Sequence, residues 1–256
     1  MNIISEAAGN HFGSMHLAKM IIEQSIEAGA RYVKFQFIRP EELYLEGRYE
    51  YGTYDIDWVR ELRAEAQLSP EKIQSLSAWA RKFAGYSCVT ATPFDLDSLD
   101  DLLALDPPFV KIASGDNNYF ELIDEISKSG CKVIASTGMS TQEQVDELVN
   151  RVLRSTSDLV LMHCVAEYPH NLEKAQLGSI ENMRSRYGVE IGFSDHTLGS
   201  SAAVLAAGMG VTWFEKHFSL SFHNGGVDAK HSIDRHGLEE YCSAINQVAS
   251  ALSGNR

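Results

Sequence analysis

Short apolar runs alternate along the whole chain with longer segments in which apolar residues recur every three or four positions. The short runs are rich in Val, Ile and Phe and end at polar or glycine-containing turns, which is typical of buried strands. The longer segments have the period of amphipathic helices. The predicted strands are 2–5, 32–37, 87–91, 109–114, 132–136, 159–164, 190–194 and 211–217. The predicted helices are roughly 15–28, 57–84 (interrupted at Ser69-Pro70), 95–105, 119–129, 141–154, 175–187, 200–209 and 235–252.

The pattern contains eight strand–helix units in succession, with no linker between them. Alternating strands and helices predict a parallel sheet, and eight units in about 250 residues favour a closed (β/α)8 TIM barrel. We therefore expect one domain over residues 1–256. A doubly wound open sheet is the alternative, but no GxGxxG motif follows the first strand. The longest irregular segment, Arg39 to Asp55, has four tyrosines and is predicted either to cover the active face or to pack on the helices.

Composition limits the partners and the location of the protein. The chain has 22 Lys and Arg against 35 Asp and Glu, a formal net charge of −13, which argues against nucleic acid and anionic membrane surfaces. No apolar run approaches the roughly 18 to 20 residues that span a bilayer, and the first residues do not resemble a signal peptide. The four cysteines lack CxxC spacing, which fits free thiols. We expect a cytoplasmic protein that binds neither nucleic acid nor membranes.

Two lysines are predicted to point into the barrel near strand ends. Side chains alternate across a strand, so Lys34 and Gln36 lie opposite the apolar face of their strand, and Lys111 lies opposite the apolar face of its own. The active site of this fold lies at the carboxyl ends of the strands. A buried lysine needs a partner or an anionic ligand. A salt bridge to Glu6, at the end of the first strand, is the purely structural alternative.

Hydroxyl-bearing turns follow three of the middle strands. They contain Thr92, Ser114 and Ser136, and the turns of the last two also contain a glycine. Hydroxyls and closely approaching backbone N–H groups at such turns donate hydrogen bonds to phosphate. Ser and Thr are also common helix N-caps, so one turn alone would not be informative. Three such turns between two inward lysines predict an anion pocket.

Histidines stand at the ends of the last three strands. His163 ends the sixth, His196 follows the seventh and His217 ends the eighth, and neighbouring strands bring the last two together. Two imidazoles with a carboxylate form a site for a divalent ion such as Mn²⁺, Fe²⁺ or Zn²⁺. The candidate carboxylates are Glu6, Asp195 and Asp228.

Short sequence motifs occur at all eight strand ends, one after another along the chain. They are EAAGNHFG (6–13), VKFQ (33–36), TPFDLDSLD (92–100), VKIASGD (110–116), ASTGMST (135–141), LMHCVAEYP (161–169), GFSDHTLG (192–199) and FEKHFSL (214–220), followed by Gly226-Val227-Asp228. The ordered set, which covers most of the chain, resembles the N-acetylneuraminate (sialic acid) synthase family. The resemblance implies condensation of phosphoenolpyruvate with an open-chain sugar aldehyde, with release of phosphate.

The resemblance also implies roles for individual residues. His196 and His217 match metal-binding histidines, with Mn²⁺ the usual ion and Mg²⁺ or Co²⁺ as alternatives, and Glu6 matches a carboxylate proposed to handle protons or activate water. The positions that match the phosphoenolpyruvate site are Lys34, Thr92, Lys111, Ser114, Ser136 and Ser194. The positions that match the acceptor side and the outer sphere of the metal are Gln36, Tyr168 and Asp228, and Asn10 of the first motif is expected to bind substrate. We expect catalysis to depend on Glu6, Lys34, Lys111, His196 and His217.

The resemblance further implies features that lie beyond the barrel. Family members usually continue into an antifreeze-like domain, which in a domain-swapped dimer supplies an arginine to the partner's sugar site. This sequence stops at Arg256, so we expect the catalytic barrel without that domain. A homodimer is expected by analogy. Either a separate lid protein or the loop with Tyr49, Tyr51 and Tyr54 would then close the site.

Two other functions stay open at this point. An inward lysine at a strand end suits a Schiff-base aldolase built on Lys111. The second of these functions is that of a non-catalytic barrel that binds a phosphorylated ligand. The presence of both histidines, Glu6 and both lysines favours the synthase over such a binder, which would not need the full set.

Overall fold

The computed structural model describes residues 1–51, 54–221 and 228–254. Its strands are β1 (Asn2–Ala8), β2 (Tyr32–Phe37), β3 (Glu50–Tyr51), β4 (Tyr54–Asp55), β5 (Val89–Pro93), β6 (Val110–Ile112), β7 (Val133–Ser136), β8 (Leu159–His163), β9 (Glu190–Asp195) and β10 (Trp213–His217). Its helices are α1 (Met15–Glu27), α2 (Pro40–Leu43), α3 (Ile56–Glu65), α4 (Pro70–Ala84), α5 (Leu96–Leu103), α6 (Phe120–Lys128), α7 (Gln142–Leu153), α8 (Gly178–Tyr187), α9 (Ser201–Gly208) and α10 (Arg235–Ser253). Short 3-10 turns cover Ser114–Asp116, Leu172–Ala175 and Ala229–His231.

Eight of the strands form one parallel sheet in the order β5-β2-β1-β10-β9-β8-β7-β6. The first and last barrel strands along the chain, β1 and β10, pair through five residues, so the sheet curls round on itself. Its two ends, β5 and β6, are joined by the hydroxyl of Thr90, which donates to the carbonyl of Phe109 at 2.5 Å. This arrangement is a (β/α)8 barrel and confirms the predicted fold class.

The interrupted helical pattern between the second and third predicted strands forms two helices, α3 and α4. Ser69 accepts a hydrogen bond from the backbone N–H of Lys72, and Pro70 occupies the first turn of α4. Proline suits this position because its missing N–H is one that the helix start leaves unpaired in any case. The break predicted at Ser69-Pro70 is therefore a helix N-terminus.

Two apolar clusters divide the core. The larger lies between the strands and the surrounding helices, whereas the smaller fills the inside of the barrel and consists of Ile4, Phe109, Ile134, Val160, Met162 and Trp213 with Tyr32 against them. Except for Met162, these inner residues lie towards the amino ends of their strands. The carboxyl half of the interior is thus left to polar side chains. None of the helices in the described ranges is long and apolar enough to cross a bilayer.

The segment from Arg39 to Asp55 contains α2 and the antiparallel pair β3–β4. Tyr54 stacks on Trp58 of α3 with ring centroids 5.0 Å apart. The ammonium of Lys230 lies 5.3 Å from the centre of the Tyr54 ring. This segment therefore touches the turn that leaves the last barrel strand, while its closure of the site stays a prediction.

Candidate active site

Buried polar side chains gather at the carboxyl ends of the barrel strands, above the apolar interior. They come from seven strands and are Glu6, Lys34, Thr92, Lys111, Ser136, Ser194, Glu215 and His217. All of them except Glu215 are among the residues predicted from the sequence. Lys34 of β2 reaches Glu215 of β10 although β1 lies between these strands, so both side chains point into the barrel. The inward direction predicted for Lys34 is confirmed.

Lys34 is shared by two carboxylates. Its Nζ lies 2.5 Å from Glu6 Oε2, 3.6 Å from Glu215 Oε2 and 3.2 Å from the hydroxyl of Thr92. Glu215 also accepts a hydrogen bond from the hydroxyl of Ser194 at 2.9 Å. The salt bridge between Lys34 and Glu6, which was the structural alternative to ligand binding, is therefore present. It does not exclude that role, because an ammonium group has three donors.

Lys111 stands beside the predicted hydroxyl turns. Its Nζ donates to the hydroxyl of Ser136 at 2.5 Å and to the carbonyl of Ile112 at 3.2 Å. The amide of Asn117 donates to the carbonyl of Ser136 at 2.8 Å and to the hydroxyl of Ser140 at 2.6 Å. These contacts hold the ends of β6 and β7 together. Among the described residues Lys111 lacks a carboxylate within salt-bridge distance, which leaves its charge available to an anion.

Burial and the two lysines separate the ionisation of the two carboxylates. Burial raises the pKa of Glu6 to about 7, with the ammonium of Lys34 opposing it. Burial also disfavours ionisation of Glu215, but Lys111 and Lys34 outweigh it and lower the pKa of Glu215 to about 2. Burial lowers the pKa of Lys111, whereas Glu215 and Glu6 overcome the same effect and raise the pKa of Lys34. Glu6 is the carboxyl group that can exchange a proton near neutral pH.

A cluster of rings lies on the other side of Glu215. The rings of His196 and His217 have centroids 5.7 Å apart, and β9 and β10 are neighbouring strands, as the sequence predicted. Tyr168 covers both, at 3.9 Å from His196 and 5.6 Å from His217. His231, from the turn after β10, lies 5.0 Å from His217 and 4.9 Å from Tyr168. Burial lowers the pKa of His196 to about 4 and of His217 to about 3, so both imidazoles are neutral at pH 7.

Part of this cluster has the donor set of a divalent metal site. Ligand atoms of His217, Asp228 and His231 all lie within 4.8 Å of one another. His217 Nδ1 and His231 Nε2 are buried without a hydrogen-bond partner among the described residues. His196 bonds the carbonyl of Val165 through Nδ1 at 2.6 Å, which leaves Nε2 towards the cluster, 3.3 Å from the Ser194 hydroxyl. Neutral imidazoles beside a carboxylate fit Mn²⁺, Fe²⁺ or Zn²⁺. His196 lies next to the group of three but is not part of it.

Gln36 and Asp228 are connected by an arginine of α3. Gln36 donates from Nε2 to Glu6 at 3.3 Å and accepts from Arg63 Nη1 at 2.6 Å. Arg63 Nη2 lies 3.6 Å from Asp228, which also lies 3.5 Å from His231. Burial disfavours ionisation of Asp228, but His231, Arg63 and His217 outweigh it and lower its pKa. Two of the three predicted acceptor-side residues, Gln36 and Asp228, thus lie on one edge of the site.

Two predicted residues make mainly backbone links in this structure. The amide of Asn10 donates to the carbonyl of Phe218 at 2.9 Å and ties the end of β1 to the end of β10. Ser114 opens a 3-10 turn after β6, and its carbonyl accepts from Ser140 at 3.4 Å. Substrate binding by either residue stays a prediction. Gly226 and Val227 of the last motif lie outside the described residues.

Sequence reasoning missed three residues of the site. Glu215 carried a signal, because it lies two residues before His217 and so shares its face of β10. His231 is one of several histidines that follow the last strand, and nothing in the sequence distinguishes it from the others. Arg63 carried no signal, because nothing in the sequence of an amphipathic helix tells which of its polar residues meets the barrel.

Comparison with known proteins identifies the family of the chain. The NeuB family model matches residues 21–256. The N,N'-diacetyllegionaminic acid synthase of Campylobacter jejuni is 30% identical over 98% of this chain and 77% of its own, and the pseudaminic acid synthase of Helicobacter pylori is 31% identical over 98% and 75%. The structure of the N-acetylneuraminic acid synthetase from Leptospira borgpetersenii superposes with a TM-score of 0.90 at 28% identity, covering 99% of this chain and 85% of that one. The chain belongs to the NeuB family.

Proposed function

We propose that this protein condenses phosphoenolpyruvate with the aldehyde of an open-chain sugar and releases phosphate, with the help of a divalent metal ion. The proposal rests on one observation, which is that two chemically different environments lie side by side in one buried site. Lys34 and Lys111 with hydroxyl donors stand on one side, and neutral imidazoles with Asp228 stand on the other. An anion and a polarised carbonyl oxygen would each find a suitable partner there. The named synthases among the relatives support the same reaction class.

Phosphoenolpyruvate would bind on the lysine side. Lys34 and Lys111 supply positive charge, and Thr92 and Ser136 already accept hydrogen bonds from these ammonium groups, so their hydroxyl protons remain free for ligand oxygens. Asn117 holds the turn that carries Ser136. These groups would place C3 of phosphoenolpyruvate towards the histidines, which is mainly a matter of orientation.

The bond-forming step would take place between the two sides. A divalent ion held by His217, Asp228 and the neighbouring His196 or His231 would supply Lewis acidity to the aldehyde oxygen. C3 of phosphoenolpyruvate bonds to the aldehyde carbon, whose oxygen takes a proton and becomes a hydroxyl. Water adds to C2 and gives up a proton, and phosphate leaves by cleavage of its bond to C2. Glu6, with its pKa near 7, is the residue we propose to accept the proton of that water.

Phosphate release from phosphoenolpyruvate, measured with a panel of aldoses with and without Mn²⁺, tests the proposal. We expect release that depends on both the aldose and the metal, and that stops after treatment with EDTA. Absence of phosphate release with every aldose and every metal tried would refute the synthase function and leave the phospho-ligand-binding barrel.

A Schiff-base aldolase on Lys111 is the second candidate, because burial lowers the pKa of this lysine. A lysine that is neutral for part of the time can attack a carbonyl carbon. Borohydride treatment in the presence of pyruvate separates the two functions. A covalent adduct on Lys111 would support the aldolase, whereas no adduct combined with sensitivity to EDTA would support the synthase.

A further inference from the structure

Arg63 extends from the last turns of α3 to the edge of the site that holds Gln36 and Asp228. Its Nη1 donates to Gln36 Oε1 at 2.6 Å, and Gln36 in turn donates to Glu6 at 3.3 Å. Its Nη2 lies 3.6 Å from Asp228 Oδ2, and only 12% of the side chain is exposed. A guanidinium group from outside the barrel is therefore in contact with the buried polar network of the site.

Most of the hydrogen-bonding capacity of this guanidinium is unused. Arginine offers five N–H donors in a planar fork. Within the described residues Nε is buried without a partner, and the carboxylate beside Nη2 is beyond hydrogen-bonding distance at 3.6 Å. The edge formed by Nε and Nη2 is the one that binds oxygen atoms side by side. Arg63 therefore has a buried Nε–H without a partner and an Nη2 beside it that makes no hydrogen bond to Asp228.

The charge around Arg63 favours a neutral ligand. The carboxylate of Asp228 lies 3.6 Å from Nη2 and balances the charge of the guanidinium. A second anion on the same edge would lie close to this carboxylate and be repelled by it. A hydroxyl or carbonyl oxygen would accept the free hydrogen bonds without that repulsion.

The position of Arg63 indicates which part of a substrate it would meet. Asp228 is grouped with His217 and His231, where the aldehyde oxygen is proposed to bind. Arg63 also lines a cavity of about 420 Å³ between β2 and the helices α3 and α4, which offers room for a substituent. The carbon next to the aldehyde carries the substituent closest to the aldehyde oxygen.

We propose that Arg63 determines specificity for the acceptor by donating hydrogen bonds to a neutral oxygen carried on C2, the carbon next to the aldehyde. The substrate class is therefore an aldose with a hydroxyl or acylamino group at C2, rather than a 2-deoxy sugar. This inference rests on the proposed function. Arg63 contacts Glu6 only through Gln36, so the acceptor should be affected more than phosphoenolpyruvate when Arg63 is replaced.

The first test compares phosphate release with mannose, N-acetylmannosamine and 2-deoxyglucose, which is mannose without its C2 oxygen. Arg63→Leu should lower kcat/KM about 10- to 100-fold for the better C2-substituted sugar, the usual effect of losing a hydrogen bond from a charged group. The value for 2-deoxyglucose should fall by a smaller factor, which reflects the loss of Arg63 as a partner of Gln36 and Asp228. Arg63→Lys keeps the charge beside Asp228 and should lose most of the same preference. Arg60→Leu, on the same helix but bonded to Leu45, Gly47 and Asp57, is the matched control.

The second test needs no turnover. The reduced, open-chain alcohols of N-acetylmannosamine and 2-deoxyglucose cannot react, and calorimetry measures their binding to the wild-type protein and to both Arg63 variants. We expect the wild type to bind the first more tightly and the variants to bind both equally. Equal binding to the wild type, or an unchanged preference in folded Arg63→Leu, would overturn the role of Arg63. A preference that depends on Arg63 in a protein that releases no phosphate would instead support Arg63 and refute the synthase.

Discussion

Glu6 and Glu215 are two buried carboxylates that share one lysine but differ in ionisation. Glu215 is within the field of both lysines and is held by Ser194, so it remains charged. Of the two lysines Glu6 contacts Lys34 alone, and burial raises its pKa to about 7. Pairs of carboxyl groups whose environments separate their pKa values commonly divide acid–base and electrostatic work between them. Glu215 therefore suits a fixed negative charge, and Glu6 suits proton transfer.

Glu6→Gln should lower kcat by about 100-fold, within the usual range for loss of a general base. The wild-type rate should rise as the pH increases through about 7, because Glu6 must lose its proton before it can accept another. That limb of the pH profile should be absent in the variant. Phosphate release at a series of pH values measures both effects, with the exposed Glu240→Gln as control. Full turnover by Glu6→Gln would exclude the proposed base.

His217→Ala should abolish tight binding of Mn²⁺, because His217 is the one histidine that belongs both to the predicted pair and to the group with Asp228 and His231. The electron paramagnetic resonance signal of free Mn²⁺ gives the dissociation constant without any substrate. His196→Ala should weaken binding as well if the predicted pair is correct. The exposed His236→Ala should bind as the wild type does. Unchanged binding by His196→Ala would mean that His231 takes its place.

Side-chain alternation predicted the inward lysines correctly but did not find Glu215. On β2 the outward residues are all apolar, so the polar face had to be the inner one. On β10 both faces carry charge, since Glu215 and His217 point inward and Lys216 points outward into a fully buried ion pair. Alternation alone cannot say which of two charged faces is the inner one. The contacts of Lys216 depend on the neighbouring strand, which the local sequence does not describe.

At the scale of elements, the tips of β9 and β10 are held together from outside the barrel. Lys216 donates to the carbonyl of Thr197 at 2.5 Å and lies 3.2 Å from Asp195, while Asp195 accepts from the backbone and the hydroxyl of Thr197 at 2.8 and 2.7 Å. Asp195, one of the carboxylates that the sequence offered as a metal ligand, is therefore bound outside the barrel interior. The hydroxyl of Thr197 is bound to Asp195, and α9 begins later, at Ser201. This network fixes the turn that carries His196.

Lys216→Met should destabilise the protein by about 3 to 5 kcal/mol, since it leaves Asp195 buried without its charged partner. The double variant Asp195→Asn, Lys216→Met should recover part of this loss, because no unpaired charge remains. The free energy of unfolding from urea titration measures both. A double variant less stable than Lys216→Met would show that the carboxylate contributes through Thr197 more than through the lysine.

The helices and strands of the barrel were predicted with small errors at their ends. The position of α3 over the barrel was not predicted. The turn residues Ser69 and Pro70 located the break between α3 and α4. The position of α3 over the barrel depends on the segment from Arg39 to Asp55, which has no strong periodicity. The contact of Arg63 with Gln36 and Asp228 could not be predicted for this reason. Loop lengths and turns, not helix propensity, determine where a helical side chain reaches.

At the scale of the whole molecule, the eight repeated strand–helix units determine the fold, and the fold determines where the site lies. Eight similar units leave few ways to bury eight strands, and a barrel places all their carboxyl ends at one face. The apolar inner cluster lies towards the opposite ends and separates stability from chemistry. The ordered motifs therefore predicted the family and the location of the site. The acceptor depends on contacts between helix and barrel, which repetition does not encode.

The junction of β5 and β6 is where we expect the barrel to open locally. Every other pair of neighbouring barrel strands shares a hydrogen-bonded ladder, whereas the described residues of these two are linked through the Thr90 hydroxyl alone. Local opening should therefore begin here, since few backbone bonds must break. Hydrogen–deuterium exchange should be faster for amides along this junction than for those of β1, and Thr90→Val should accelerate it further while β1 stays protected. Equal protection of all eight strands would instead mean that the barrel opens only as one cooperative unit.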